Sequence, residues 1–278
     1  MNSAAKIVVC LIGLATAASA ADSEPVISAA RKTEQGWLIH KVDSPYQRAE
    51  TEIKVLLPSD SEKNPPRRVL FVLPVEAENG LRWGNSLAEI QKLGLHERHR
   101  LIVVAPTFSD LPWYADHPTL KKIRQETYFL KVVVPFIDRT YATSGKAEER
   151  LLLGFSKSGW GAWSLLLREP SLFGKAAAWD APMMMETPDR FGMKEIVGTQ
   201  ENFERYRMTS LLRGRAELLA GKSPRLILTG YGNFRSDHEK LHGWMEQQNI
   251  PHLYRDGPAR EHAWGSGWIE EAVDLLAK

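Results

Sequence analysis

Cysteine is almost absent from this sequence of 278 residues, which has one, at position 10. A single cysteine excludes a disulfide within the chain. The sequence also has no large excess of charge of one sign, since 36 Lys and Arg are balanced by 34 Asp and Glu, and no long basic stripe is present. We therefore expect no nucleic-acid partner. Internal repeats and low-complexity tracts are missing too, and 43% of the residues are hydrophobic, which indicates a folded chain held by its core alone.

The N-terminus has the pattern of a secretory signal peptide. Lys6 precedes the apolar run 7–17, and Ala18-Ser19-Ala20 supplies a small-x-small cleavage pattern. The run is shorter than the roughly 20 residues that a membrane-spanning helix needs. We expect residues 1–20 to be removed, with an uncleaved anchor as the alternative. The mature chain, 21–278, would then be secreted or periplasmic, would have no stable membrane insertion, and would contain no cysteine.

Apolar strand-like runs alternate with helical patterns along the mature chain. The first two runs alternate apolar and polar residues, as antiparallel strands do, whereas the middle ones are continuously apolar, as strands buried on both faces are. The predicted strands are residues 37–42, 52–57, 69–75, 101–105, 151–155, 176–180, 226–229 and 252–255, and the predicted helices are 86–93, 125–141, 158–168, 237–248 and 267–276. This order predicts an α/β fold with a mostly parallel, eight-stranded sheet and helices on both faces. We interpret residues 181–223, rich in Met and Arg, as an insertion over the sheet.

The stretch 151–163, LLLGFSKSGWGAW, has the order of a nucleophile elbow: a strand, a turn with serine, and a helix. Such a turn needs small residues two positions before and two after the nucleophile. Centring it on Ser156 places Gly154 and Ser158 on the flanks. Centring it on Ser158 places Trp160 on one flank, where the backbone must pass closely. Ser156 is therefore the candidate nucleophile.

A histidine and an acid are needed to activate such a serine. His262 lies between the last predicted strand and the last helix, and the order Ser, acid, His is that of α/β-hydrolase triads. Two aspartates can supply the carboxylate. Asp180 ends a predicted strand at the sheet edge where site residues gather. Asp237 begins a predicted helix, where aspartate also serves as an N-cap. We place Asp180 first and keep Asp237 as the alternative.

A second kind of chemistry is suggested by His238-Glu239-x-x-His242, which matches the H-E-x-x-H motif of zinc peptidases. Such a helix presents two histidine ligands one turn apart and a glutamate base. The match is short, and a surface helix with Leu241 and Trp244 facing the core explains the same residues. We keep the zinc peptidase as an alternative function and expect no metal.

The combination of motifs resembles the "putative esterase" branch of the α/β-hydrolases, which includes S-formylglutathione hydrolases and feruloyl esterases. The resemblance covers most of the mature chain. It is carried by LLLGFSKSGWGA, PWYADHP, RQETYFLKVVVPFIDRTY and GPAREHAWGSGW. It implies a serine hydrolase acting on carboxylic esters through an acyl-enzyme, with Ser156 as nucleophile and His262 as base. Together with the signal-peptide pattern it predicts a secreted esterase, for which we expect no cofactor.

Two positions depart from the pattern of this branch. Asn233 stands at the usual acid position, so the acid must come from elsewhere. Pro74-Val75 replaces the His-Gly pair after the third strand, and proline has no N–H to donate to an oxyanion. The resemblance then implies oxyanion donors from the backbone of Lys157 and of Val75 or Glu76. These departures motivate another alternative, a catalytically weak or inactive binding protein.

The substrate is expected to be a small-molecule or carbohydrate-linked ester. Four aromatic residues of the motif loops are candidates for lining its pocket: Trp113, Tyr114, Trp160 and Trp264. Core packing explains the same residues equally well. The sequence gives no expectation of the acyl group, the alcohol or the oligomeric state.

Overall fold

Ten strands and two sets of helices make up the part of the chain that the computed structural model describes, residues 24–60, 67–219 and 223–278. The predicted signal peptide, residues 1–20, lies outside these ranges. The strands are β1 (Val26–Ile27), β2 (Arg31–Lys32), β3 (Leu38–Asp43), β4 (Thr51–Leu56), β5 (Val69–Val72), β6 (Ile102–Pro106), β7 (Arg150–Phe155), β8 (Lys175–Trp179), β9 (Leu226–Tyr231) and β10 (Leu253–Ala259).

The helices are α1 (Ser86–Lys92), α2 (Leu95–Arg98), α3 (Gln125–Tyr128), which continues through the π-helical turn Phe129–Val133 into α4 (Val134–Thr140), α5 (Lys157–Arg168), α6 (Lys194–Val197), α7 (Gln200–Glu204), α8 (Met208–Leu219), α9 (Arg235–Gln247) and α10 (Ile269–Ala277). The five predicted helices correspond to α1, α3 with α4, α5, α9 and α10, whereas α2, α6, α7 and α8 were not predicted. A short 3-10 turn spans Ala147–Glu149. Among the described helices, none is both long and apolar enough to span a membrane.

The strands form one sheet in the order β1-β3-β4-β6-β5-β7-β8-β9-β10, with β2 also paired to β3. The neighbours from β6 to β10 are parallel. β3 and β4 are antiparallel, as their alternating pattern predicts, and β4 also pairs antiparallel with β6. The mostly parallel sheet is therefore confirmed. The eight predicted strands correspond to β3–β10, and the two additional ones are two-residue strands paired with β3, too short to show a period.

Both faces of the sheet are buried, which explains why its central strands are continuously apolar. In β5, Phe71 belongs to a buried cluster with side chains of α3, α4, α5, α8 and α9 on one face, while Leu70 and Val72 belong to a second cluster with side chains of α1, α2 and α10 on the other. The last helix follows the predicted amphipathic pattern, burying Ile269, Ala272, Val273, Leu275 and Leu276. The helices on both faces leave the ends of the parallel strands as the place where loops can form a site.

The connection from β8 to β9 contains α6, α7 and α8. Its apolar side chains belong to the core of the α5 face, including Met183, Met193, Phe203, Met208 and Leu212. This segment thus covers one face of the sheet and shares its core.

Candidate active site

Ser156 lies in a sharp turn between β7 and α5, at the carboxyl end of a central strand. Its backbone has φ 53° and ψ −132°, a conformation that residues with a side chain rarely adopt. The turn depends on small neighbours, since a Cβ on Gly154 would overlap the backbone carbonyl of Ser158, and one on Gly161 would overlap the buried ring of Tyr114. A strained turn retained by tight packing is the expected setting of a nucleophile.

The two serines of the turn have different environments. Ser158 is fully buried, and its Oγ donates to the carbonyl of Phe155 at 2.9 Å and accepts from the N–H of Phe155 at 3.1 Å. Ser158 therefore ties the start of α5 back to β7. Ser156 is 6% exposed and lines an open pocket.

His262 lines the same pocket from the loop between β10 and α10. Its Nδ1 donates to Oδ2 of Asp180 over 2.6 Å. The imidazole is packed edge-on against Trp83 and Phe155, with ring centroids 4.9 Å apart in both pairs. With Nδ1–H bound to a carboxylate, Nε2 is the nitrogen that carries the free electron pair of the neutral ring.

Asp180 follows β8 and is completely buried. Burial alone raises a carboxyl pKa, but hydrogen bonds from His262 and from the backbone N–H groups of Gly232, Asn233 and Phe234 outweigh it and lower the pKa of Asp180 below its ordinary value. The N–H groups of Asn233 and Phe234 lie 2.7–2.9 Å from the carboxylate oxygens. Asn233, at the position where the resemblance places the usual acid, thus supports the carboxylate of Asp180 through its backbone.

The other candidate acid, Asp237, is placed differently. It lies in the first turn of α9, and its Oδ2 accepts the backbone N–H of Met184 at 3.0 Å. The structure therefore brings Asp180 to His262 and uses Asp237 to hold the start of the segment after β8.

The three positions considered for oxyanion donors differ in whether they line the pocket. Lys157 is the first residue of α5, where a backbone N–H has no partner within the helix. Lys157 and Glu76 both line the pocket, whereas Val75 is buried beside it. Burial lowers the pKa of the Lys157 ammonium; Glu76 partly offsets this, and Arg82 adds to it.

The pocket has a volume of about 460 Å³, within the range of small-molecule sites. Its aromatic lining consists of Trp83, Phe191 and Phe234, and its charged lining includes Arg82, Lys157 and Glu76. Trp83 and Phe234 lie in the segments after the parallel strands β5 and β9, at the edge of the sheet where site residues gather. Phe191 comes from the segment between β8 and β9, and no sequence pattern singled it out.

The aromatic residues expected to line the pocket do not do so. Trp113, Tyr114 and Trp160 are fully buried in the core on the α5 face of the sheet, so the prediction is wrong for them. Two of them bind the backbone of segments that border the site. The Tyr114 hydroxyl donates a hydrogen bond to the carbonyl of Pro74 at 2.7 Å, and the Trp113 indole N–H donates to the carbonyl of Phe191 at 3.2 Å.

Trp264 lies close to the pocket without lining it. Its side chain is nearly buried and reaches an adjoining cavity. Its backbone N–H donates to the carbonyl of Trp83 at 2.8 Å, so it fixes a residue that does line the pocket.

The H-E-x-x-H interpretation is wrong for this helix. His238 is 1% exposed, and its Nε2 accepts the backbone N–H of Ala181 at 2.9 Å, so this nitrogen is occupied. Burial lowers the pKa of His238 to about 4, which keeps the ring neutral. Glu239 is exposed and pairs with Arg235 at 3.2 Å. His238 and Glu239 thus have structural roles on α9.

A mostly parallel sheet with helices on both faces and a strained serine turn after a central strand define an α/β-hydrolase. Residues 44–216, more than half of the chain, match the family described as "Putative esterase". The chain belongs to this family and is a hydrolase that acts on ester bonds. Ser156 and Asp180 lie within the matched residues, and His262 lies beyond them.

Solved structures with the same fold include enzymes of related chemistry. The fluorophosphonate-binding serine hydrolase FphF of Staphylococcus aureus matches with a TM-score of 0.68 and 18% identity, covering 90% of this chain and 100% of FphF. The S-formylglutathione hydrolase FrmB of the same organism matches with a TM-score of 0.68 and 16% identity, covering 92% of this chain and 100% of FrmB. A ferulic acid esterase matches with a TM-score of 0.66 and 20% identity, covering 87% of this chain and 95% of the esterase. No curated protein sequence matches the chain significantly.

Proposed function

We propose that the chain hydrolyses carboxylic esters through a triad of Ser156, His262 and Asp180. The observation that carries this assignment is the 2.6 Å hydrogen bond from His262 Nδ1 to buried Asp180, beside a pocket that His262 shares with Ser156. The low pKa of Asp180 keeps its carboxylate ionised at neutral pH, as a group that stabilises an imidazolium must be. The intact turn and the supported acid favour an active enzyme over an inactive binding protein.

The reaction proceeds in two steps at the Ser156 hydroxyl. His262 Nε2 takes the proton while Oγ attacks the ester carbonyl, and the same nitrogen then returns the proton to the departing alcohol. His262 then takes a proton from water, which attacks the acyl-enzyme, and returns that proton to Ser156 Oγ as the carboxylic acid is released.

The negative charge that develops on the carbonyl oxygen needs fixed donors. We assign this role to the backbone N–H groups of Lys157, at the start of α5, and of Glu76, in the loop after β5. Preorganised backbone donors stabilise such an oxyanion without rearrangement in the transition state. The positive end of the α5 dipole acts in the same direction.

The pocket favours small-molecule esters with a planar or extended apolar group. Trp83, Phe191 and Phe234 supply flat apolar surfaces, while Arg82 and Lys157 supply positive charge in the lining. Esters linked to a carbohydrate are compatible with this lining, since aromatic rings stack on sugars as well as on aromatic acids.

This function is tested by turnover of p-nitrophenyl esters carrying acetyl or aromatic acyl groups, with the matching p-nitroanilide as an amide. We expect hydrolysis of the esters, far slower cleavage of the amide, a preference for the aromatic acyl group and covalent labelling by a fluorophosphonate. Chelation by EDTA should change none of these. Absence of both labelling and turnover would instead indicate the binding protein, and loss of turnover on chelation would indicate metal catalysis.

We also infer that the enzyme is exported and cleaved after Ala20. The inference is supported by the sequence pattern of residues 1–20. Expressed at full length in a bacterium, the protein recovered from the periplasm or medium should begin at Ala21 when its N-terminus is sequenced. A product that remains in the membrane fraction and retains residues 1–20 would contradict cleavage and support the anchor.

A further inference from the structure

Three side chains with metal-ligating atoms meet where the end of α9 lies beside the start of β10. They are His242 and Glu246, one turn apart on the helix, and His252, just before the strand. All three offer a ligand atom within 4.8 Å of the others. His242 Nδ1 lies 2.8 Å from His252 Nε2, and Glu246 Oε1 lies 3.9 Å from the same nitrogen.

The His252 imidazole is held in the orientation that a metal requires, and the His242 ring is held beside it. His252 Nδ1 donates to the carbonyl of Ile250 at 2.8 Å, so in the neutral ring Nε2 points its electron pair at the other two residues. The His252 side chain is only 1% exposed, which fixes the ring. The His242 ring stacks on Tyr254 with centroids 4.3 Å apart and an angle of 24°. A backbone carbonyl that holds the distal N–H of a ligand histidine is the usual outer support of a metal site.

We propose that His242, Glu246 and His252 bind a divalent transition-metal ion, Zn²⁺, at a surface site separate from the hydrolase pocket. Two imidazoles and one carboxylate are a donor set that zinc prefers, and a water would complete a tetrahedron. Mg²⁺ and Ca²⁺ favour oxygen ligands and should bind these three side chains more weakly than Zn²⁺ does.

To accept the ion, His242 has to move its proton from Nδ1, which now donates to His252 Nε2, to Nε2, and the positions of the ligand atoms need little change. With Zn–N distances of 2.0–2.1 Å and tetrahedral angles, the two nitrogens would lie about 3.3 Å apart. The present 2.8 Å separation therefore has to open by only about half an ångström. Glu246 is exposed, so its carboxylate can approach without disturbing the core.

The ion would link α9 to β10 across the turn that joins them. Binding to the folded chain alone stabilises that chain by mass action, so Zn²⁺ should raise the unfolding temperature. The site uses the second histidine of the H-E-x-x-H match but neither His238 nor Glu239. This proposal does not depend on the proposed esterase function.

Calorimetric titration of ZnCl₂ into the purified, untagged protein tests the site. We expect one Zn²⁺ per chain and a higher unfolding temperature with the ion present. Glu246→Gln and His242→Phe should each weaken Zn²⁺ binding at least about tenfold and remove the temperature shift. His242→Phe keeps an aromatic ring to stack on Tyr254, and Glu246→Gln changes an exposed residue, so both should fold.

Glu239→Gln is the matched control, because it alters an exposed glutamate of the same helix that lies outside the cluster. It should bind Zn²⁺ as the wild type does. Failure to bind Zn²⁺ at ~1 mM, or binding unchanged in both Glu246→Gln and His242→Phe, would overturn the site, as would loss of binding in Glu239→Gln alone. Ester turnover measured in the same samples should be unaffected by these variants, so failure of the metal site remains distinguishable from failure of the esterase.

Discussion

Replacing Ser156 by alanine is expected to lower kcat/KM for ester hydrolysis on the order of 10⁴-fold or more and to abolish fluorophosphonate labelling. The reason is that the acyl-enzyme forms on the Ser156 oxygen, and the remaining donors can only orient water. Because the Ser156 side chain makes no capping hydrogen bond to α5, folding should be retained. Steady-state turnover and gel-based labelling of the purified variant measure the two effects.

Ser158→Ala is the control that separates the two serines of this turn. Ser158 bonds to the backbone of Phe155 in the core, so its loss should reduce the free energy of unfolding by about 1–3 kcal/mol. Labelling and turnover should persist, since its hydroxyl does not face the pocket. Labelling that survives Ser156→Ala and disappears in Ser158→Ala would reverse the assignment of the nucleophile.

Replacing Asp180 by asparagine is expected to lower kcat on the order of 10⁴-fold, while the pocket at Ser156 remains accessible to a fluorophosphonate. The amide cannot stabilise the imidazolium, and when its NH₂ faces His262 it favours the wrong tautomer of the ring. Asp237→Asn should keep kcat near the wild-type value, because asparagine can still accept the N–H of Met184. Equal turnover in the two variants, or a greater loss in Asp237→Asn, would contradict the assignment of Asp180 as the acid.

Asp180→Asn should also differ from the wild type in its acid stability. The pKa of Asp180 is lower in the folded chain than in the unfolded one, so the stabilisation from its carboxylate is fully present above the ordinary aspartate pKa of about 3.9. It is lost as the pH falls through the lower folded value. Asp180→Asn lacks this contribution, so its free energy of unfolding should fall less steeply than that of the wild type below pH ~4. Denaturant titrations at several pH values measure this difference.

The central part of the fold was accessible from the sequence because its information is local. Continuously apolar runs of strand length mark the parallel strands β5–β9, and small residues around Ser156 mark the turn between β7 and α5. The two-residue strands β1 and β2 were not accessible, since two residues show no period. Burial was not accessible either: Trp113 in a loop and Trp160 in α5 look the same in sequence whether they line a pocket or fill the core.

The two histidines of the H-E-x-x-H match have different surroundings and therefore different partners. Residues four apart on a helix share a face, yet His238 lies against the backbone at Ala181 while His242 meets His252 from another segment. Spacing fixes only the relative direction of two side chains. Burial and the neighbouring elements decide what each nitrogen can bind.

The sequence by itself determined that this chain is an α/β protein with a serine turn after a central strand and a histidine loop before the last helix. Only the tertiary structure decided that Asp180, and not Asp237, contacts His262, and that Trp83, Phe191 and Phe234 are the aromatic residues at the pocket. The physical reason is that these relations are set by loops from distant parts of the chain, which meet at the carboxyl edge of the sheet once the strands have paired.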